Sequence, residues 1–458
     1  VELLNQNFTI LDELQGEVIS DDYSVDSESD IRTTYNLTMI VKDSSFNIES
    51  YTRFWFDKYV RILTGYMNNR TGDIHWYPLG VFLVSSASYQ YNATTHTLPL
   101  PCLDLASKLT GDLGGYLNAL NTVIIGGIQE NAQIRAAMID TITQLGNVKN
   151  YRVDNIGKSV PYDLEFSVGS TVFDIVRTLR DLYPNWETFF DTGGTFIYQK
   201  IPYSNDAPVV IDEETMKRLV ISEDTNYDLT QVYNVVEVWG KQLTGTRYSE
   251  DVTKAADPNS AFIDIYTINI PDYTLADKDI IEVKIPSANT KRFTKIQIND
   301  GTAMVLAHAE SNTALEYNVM ESEKVYEIQY DQSASKFRFL GSPQVYASAK
   351  DTLANSPFNI DKIGEKRLVL SGGDYDYIWS EDLAKQRAEY ELWTHTRLQD
   401  TITLEMIWIP WLTVNQKVRY TSFSTGKTND YIVKNISGSF SSGTMSVTMI
   451  RFYPEEME

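Results

Sequence analysis

Four histidines and one cysteine are all this chain offers to metal or thiol chemistry. His75, His96, His308 and His395 stand at no metal-ligand spacing, and no His-Glu-x-x-His occurs. Cys102 follows His96 closely enough to suggest a thiol and its base. Its neighbours, Leu98-Pro99-Leu100-Pro101-Cys102-Leu103, read instead as a strand end running into a helix, with the thiol as a small apolar packing group. Gly426-Lys427-Thr428 resembles the end of a phosphate-binding loop. Thr421 stands where the leading glycine belongs, however, and the context is a hairpin rather than strand to helix. Asp21, Asp22, Asp26, Glu28 and Asp30 lack the turn glycine and spaced oxygens of a calcium loop, and read as a solvated hairpin. Among 62 acidic residues, spacing singles out no acid–base pair. The sequence assigns no catalytic, cofactor-binding or metal residue and no cofactor, and the protein is expected not to be an enzyme.

Bulk properties narrow the classes further. The net charge is −23, and phosphate contacts need clustered Lys and Arg, so nucleic-acid binding is disfavoured. An acidic surface keeps a protein soluble; it would also suit a channel lining to which DNA must not adhere. Twenty-nine Tyr, 18 Phe and 8 Trp favour strands and suit interfaces that stay partly wet. A length of 458 residues suggests roughly two to four cores. A lone cysteine forbids an internal disulfide. The start, Val1-Glu2-Leu3-Leu4, is no signal peptide and lacks Met, as in a processed or excised chain. No segment approaches the ~18 apolar residues of a membrane span. The nearest, 119–128, holds Asn121 and Gly126-Gly127.

The elements themselves carry the strongest signal, because one unit recurs. Val18-Ile19-Ser20-Asp21-Asp22, followed by Tyr35-Asn36-Leu37-Thr38-Met39-Ile40-Val41, matches Val220-Ile221-Ser222-Glu223-Asp224, followed by Tyr233-Asn234-Val235-Val236-Glu237-Val238. In the same order, Lys58-Tyr59-Val60-Arg61 and Gly80-Val81-Phe82-Leu83-Val84-Ser85-Ser86-Ala87-Ser88-Tyr89 match Lys417-Val418-Arg419 and Tyr431-Ile432-Val433-Lys434-Asn435-Ile436-Ser437-Gly438-Ser439-Phe440. The pattern predicts a mainly β chain with α+β parts: two related tube-like β-barrels, an α+β domain between them, and an inserted β domain in the second barrel. Expected boundaries are 1–104 for the first barrel and 105–212 for the α+β domain. The split second barrel takes 213–245 and 376–458, and 246–375 is the insertion with its connector. Helical periodicity covers 119–145; Val172, Ile175, Val176, Leu179 and Leu182 share one helix face, with Ser170 as N-cap and Pro184 beyond the end. A hairpin turns at Gly193-Gly194. Ser380 caps a helix to about 398, with Glu381 four residues before Lys385 as a surface pair.

Read together, these segments resemble the phage tail hub family, including baseplate hubs and the N-terminal part of tail-tip proteins. The carriers are the acidic strand start, the Tyr-Asn strand, the Gly-Val-Phe-Leu-Val strand and Cys102-Leu103-Asp104-Leu105-Ala106-Ser107-Lys108-Leu109. Further carriers are the hairpin from Trp186-Glu187-Thr188-Phe189 to Gln199-Lys200-Ile201-Pro202, then Asn234-Val235-Val236-Glu237-Val238-Trp239-Gly240, then the run from Ala384 through Val414-Asn415-Gln416-Lys417-Val418. The likeness spans most of the chain except roughly 250–350, and its weight lies in the order of weak motifs.

The resemblance implies a homotrimer in which two barrels per subunit give six quasi-equivalent barrels. Such a ring would join a sixfold tail tube or distal tail ring to a threefold tip or fibre. Its lumen would pass the tape-measure protein and DNA without specific binding, and its place would be the virion tail tip, assembled in the host cytoplasm. Many such hubs continue into a lytic or fibre-like domain; here the chain closes on Phe452-Tyr453-Pro454 and acids, so that domain is expected to be absent or removed. Two other readings stay open: a tail-associated cell-wall hydrolase, and a glycan-binding receptor module in the insertion, which is otherwise expected to be a packing domain.

Overall fold

The repeated Val-Ile-Ser-acid motif is a β-bulge used twice. A computed structural model shows it within a mainly β chain with α+β parts. The structure describes residues 1–14, 17–40, 56–86, 90–91, 96–118, 122–126, 133–160, 162–201, 207–211, 213–243, 247–396 and 399–452. Expectations at Val41, Ala87-Ser88-Tyr89, Gly127, Pro202, Leu398 and Tyr453-Pro454, and residues 119–121 and 127–132 of the expected helix, fall outside them; of the rest of 119–145, Thr122–Ile124 is a strand and the helix runs from Ile134 to Leu145. The chain divides into two units, Val1–Leu229 with Gln399–Glu458, and Thr230–Leu398.

Ten strands frame the first unit. One set is β1 (Glu17–Asp26), β2 (Thr33–Ile40), β3 (Tyr59–Met67), β4 (Ile74–Val84) and β5 (His96–Asp104). The other is β6 (Val220–Asp228), β7 (Gln399–Ile407), β8 (Lys417–Thr421), β9 (Thr428–Ser439) and β10 (Thr444–Arg451). The first set is ordered β1-β2-β5-β4-β3 and the second β6-β7-β10-β9-β8, every neighbour antiparallel. The topology is thus the same twice. β9 also pairs with β1, so both copies belong to one barrel-like sheet. The bulges coincide as well: the β1–β2 register shifts between Val18 and Ser20, the β6–β7 register between Val220 and Ser222. A bulge inserts one residue and bends its strand, and here the extra residues are Ile19 and Ile221. One apolar core draws on both copies, including Tyr35, Leu37 and Met39 with Ile402, Leu404 and Met406. These alternate with outward residues, as a strand with one buried face requires.

Two details of the repeat differ from the sequence reading. Asp21 faces Leu37 and Glu223 faces Leu404, so the second copy of the Tyr35 strand is β7, not Tyr233-Asn234-Val235. The residues Thr34, Leu37 and Met39 recur there as Thr401, Leu404 and Met406. The strand Val235–Gln242 lies in the other unit. Its likeness to β2 was one of strand-forming residues only, for Asn36 is exposed whereas Asn234 is fully buried. Further on, Val60 matches Val418 as expected, but their partners are Phe82 and Tyr431. Phe82 rather than Gly80 is therefore the counterpart of Tyr431, a slip of two residues that keeps each side chain on its own face.

The α+β part of this unit contains helices α1 (Ile134–Asp140) and α2 (Val172–Asp181) and the hairpin Trp186–Phe190 with Phe196–Lys200. The N-cap of α2 is Thr171, one residue later than expected. Its hydroxyl accepts from Asp174 N and Asp174 answers to Thr171 N, a reciprocal box that Ser170 has no Asp or Glu in place to complete.

The second unit holds an eight-stranded sheet and a three-stranded one. The larger runs Arg247–Ser249, Ile280–Lys284, Val325–Asp331, Lys336–Gly341, Met304–His308, Phe293–Ile298, Ile263–Ile268, Val252–Ala256. It has its own core, centred on Tyr266, Ile281, Ile296 and Phe337. The smaller sheet places Val235–Gln242 between Gln344–Lys350 and Arg367–Leu370. Asn234 fixes its approach, donating to Phe358 O and Gly364 O and accepting from Lys366 N. Helix α3 (Glu381–His395) begins at Ser380, whose hydroxyl accepts from Leu383 N. Glu381 is no surface partner of Lys385: it is largely buried and accepts from Ser342 N and Oγ, tying the helix start to a strand connection.

Candidate functional site

Two carboxylates at matching positions of the two copies each hold a turn of nearly the same sequence. Glu223, on β6, accepts from Ser422 Oγ (2.7 Å), Phe423 N (2.8 Å), Ser424 N (3.3 Å) and Ser424 Oγ (2.8 Å). Asp21, on β1, accepts from Ser439 Oγ (2.9 Å), Phe440 N (2.7 Å) and Ser441 N (3.0 Å). The turns read Ser422-Phe423-Ser424-Thr425-Gly426 and Ser439-Phe440-Ser441-Ser442-Gly443, and both glycines have positive φ, +66° and +72°. That conformation suits glycine and closes the turn at no steric cost. A tyrosine adds a further donor to each carboxylate, Tyr420 at 2.6 Å and Tyr35 at 3.2 Å. Burial works against ionisation, but the donors outweigh it: Glu223 is pulled down to about 2 and Asp21 below its ordinary value.

The clasps serve different places. β6 and β8 stand at opposite ends of the second copy's strand order, β8 carrying the short parallel strand Val209–Val210 on its outer side, and Glu223 ties β6 to the β8–β9 turn, strands that no ladder joins directly. Asp21 instead secures the β9–β10 turn beside the β9–β1 ladder, where copy meets copy. Asp21 is thus a structural ligand within a strand rather than part of a solvated hairpin. Of its acidic neighbours, Asp26 accepts from Glu28 N and Asp30 pairs with Arg177.

Beside that junction lies a buried polar knot drawn from three distant segments. Arg32 Nη2 meets Glu187 Oε2 at 2.7 Å, both side chains being 6% exposed. Asn415 Nδ2 donates to the same oxygen at 2.5 Å, and Gln199 Nε2 to Oε1 at 2.8 Å. The Arg32 guanidinium stacks 4.1 Å from the Phe189 ring centroid. Asp104 is buried next to it and accepts from Thr33 N and Ala106 N at 2.8 Å. Burial outweighs those donors and the Arg32 charge and raises its carboxyl to about 6. Next to the knot is a cavity of about 370 Å³ walled by Tyr77, Pro78, Phe189, Trp408 and Trp411.

The residues weighed for chemistry are not gathered. Cys102 is fully buried and donates to Leu100 O, and burial raises its thiol to about 12, out of reach of a thiolate role at neutral pH. His75 is exposed in β4; His308 meets Glu316 at 2.6 Å and His395 faces Gln231 O at 3.0 Å in the second unit. Gly426-Lys427-Thr428 belongs to a clasped hairpin turn. Among the described residues no cluster of three metal-ligating side chains occurs, and no helix is long and apolar enough to cross a membrane. The clasps could have been found from the twice-spelled Ser-Phe-Ser turn. The knot has no such signal.

The fold has relatives among solved structures. The tail protein from Neisseria meningitidis MC58 matches with a TM-score of 0.51 at 10% identity, over 98% of this chain and 95% of that one. This chain has the fold of that tail protein. Two further matches are to the 43 kDa tail protein of prophage MuSo2 from Shewanella oneidensis and to the E. coli c3393 protein. The first has a TM-score of 0.49, 9% identity and coverage of 98% of each chain. The second is a type VI secretion component described as similar to the T4 bacteriophage tail proteins gp27 and gp5, with a TM-score of 0.43, 6% identity and coverage of 100% and 78%. The match to the Neisseria tail protein extends over both units of the chain. Residues 355–455 match a family described as a domain of unknown function, DUF5048. No curated protein matches in sequence.

Proposed function

We propose that this protein is a structural hub of a phage or phage-like tail tip, a homotrimer that adapts a sixfold tail tube or distal ring to a threefold tip. The observation that carries it is the strand order found twice in one sheet, β1-β2-β5-β4-β3 and β6-β7-β10-β9-β8. Three protomers then present six copies of the same five-strand unit, two in each barrel-like sheet, and heterologous contacts close on themselves when the rotation permits. The tail-protein fold supports the same reading. The work is geometric rather than catalytic: the sheet offers equivalent surfaces, while the acid-rich surface lets DNA pass without adhering. The tape-measure protein would share that lumen, and tip or fibre proteins would take the threefold face.

Particle images of the purified chain test this directly, with mass measured in solution. Three copies in a ring with pseudo-sixfold density are expected. A monomer at every concentration, or a ring of another copy number, overturns the proposal. A cell-wall zymogram addresses the hydrolase reading, for which a clearing zone is not expected.

A further inference from the structure

We infer that the open outer edge of β6 docks a second copy of this chain, which lays the end of its own β4 along it. The inference rests on the ring reading above and names the contact that would close the ring. Within the chain, the repeat already shows how one copy meets the other. β9 pairs with β8 in its first half and with β1 in its second, over Asn435–Gly438. The counterparts of β1 and β9 are β6 and β4, and that pairing has no instance inside the chain. Among the described residues, no strand lies along the outer edge of β6, and β4 has no partner on its β3 side past the Val60–Phe82 pair. The outer edges of β3 and β8 are not available, for Glu2–Leu4 covers one and Val209–Val210 the other.

Backbone direction and burial agree with this vacancy. Ser27 N donates to Lys434 O and Asp26 N to Arg32 O, so alternation along the strand turns Val25 toward β9. Counted from the shared bulge, Tyr227 stands where Val25 does, with its N–H and C=O directed out of the sheet edge. Val25, with β9 beside it, is 6% exposed; Tyr227 is 45% exposed. An open edge of this kind is a template for another strand. The register follows from the repeat. Val25 faces Ile436. Val84 faces Cys102 as Val433 faces Met449, and Ser85 N donates to Pro101 O as Asn435 faces Thr448. The exposed Ser86 therefore takes the place of Ile436, and Tyr227 of one chain meets Ser86 of the next. The strand that fits this edge is encoded in the chain itself, which makes the occupant another copy. Pairing β6 with β6 would instead set Asp224 against Asp228 of two chains, and facing like charges destabilise. Joined in one sense only, copies add head to tail. Glu223 is already held by its own Ser422-Phe423-Ser424 turn. The contact between chains thus lacks the clasp that Asp21 adds beside the β1–β9 ladder, and is the weaker of the two.

The test mixes full-length Tyr227→Cys and Ser86→Cys chains, carrying different tags, under mild oxidation. Facing residues of a hydrogen-bonded antiparallel pair lie ~5.5 Å apart at Cα, within disulfide range. A disulfide joining the two tags is expected, with little from either variant alone; Cys102 is buried and does not compete. Tyr227→Pro removes an outward donor at an edge, where proline is tolerated. It should raise the concentration of half-assembly about tenfold, roughly one ladder hydrogen bond at each of three contacts, with the unfolding midpoint in place. A trimer by mass that forms no mixed disulfide, or that assembles equally well as Tyr227→Pro, overturns this edge and leaves the ring reading intact. A dominant disulfide in Tyr227→Cys alone overturns it in favour of a twofold dimer. A chain that stays monomeric at every concentration overturns both readings.

Discussion

The two Ser-Phe-Ser turns are near copies, yet their phenylalanines live differently. Phe440 sits 3.9 Å from the Trp408 ring centroid and 5.5 Å from that of Tyr23, within an aromatic cluster where β9 meets β1. Phe423 is 43% exposed, with Tyr420 as its ring contact at 5.9 Å. Both turns hang from a carboxylate at the same place in the repeat. One fastens two copies together; the other seals the second copy upon itself. A duplicated device has thus been used once for cohesion between copies and once for closure within a copy, and aromatic packing marks the first use.

If cohesion is the more demanding task, damage there should cost most. Glu187→Ala leaves Arg32 buried without its partner and should destabilise the unit by about 3–5 kcal/mol, read from the urea midpoint. A loss under 1 kcal/mol would mean the knot contributes little to the junction. Phe440→Ala should cost about 2 kcal/mol, less than a fully buried phenylalanine, whereas Phe423→Ala should stay within about 0.5 kcal/mol. Equal losses would erase the distinction drawn between the turns.

Acid titration sharpens the comparison. The folded state holds Glu223 and Asp21 below their ordinary values, so each adds stability that is complete above the unfolded pKa. For Glu223 that contribution fades as pH falls from 4.5 toward about 2. Glu223→Gln should therefore flatten the acid limb of a stability profile, and an unchanged limb would remove the clasp from the account. Asp104 runs the other way. Its folded value is raised from 3.8 to about 6, so its contribution is full below 3.8 and is lost as pH rises through about 6. Asp104→Asn should remove that smaller downward slope; a slope that persists places its source elsewhere.

Legibility followed locality. Val-Ile-Ser-acid was readable because a bulge and its clasp need specific residues at fixed offsets, and they recur together. The Tyr35 counterpart was misread because β propensity makes many strands alike, while the true partner, β7, is separated from β6 by the whole second unit. Ser170 and Glu381 were assigned by spacing alone, and tertiary partners chose otherwise. The knot was unreadable in principle: Arg32, Glu187 and Asn415 share no window, and only the fold brings them within hydrogen-bond distance.

Asp228 and Gln399 face each other directly across β6 and β7. Whatever the chain encodes between them leaves the scaffold and rejoins it at adjoining points. In the first copy the same place holds only a short link from Asp26 to Thr33. The host lattice of strands is therefore indifferent to its passenger, and a lineage could exchange that cargo, or shed it for six residues of turn, without redrawing any register around it.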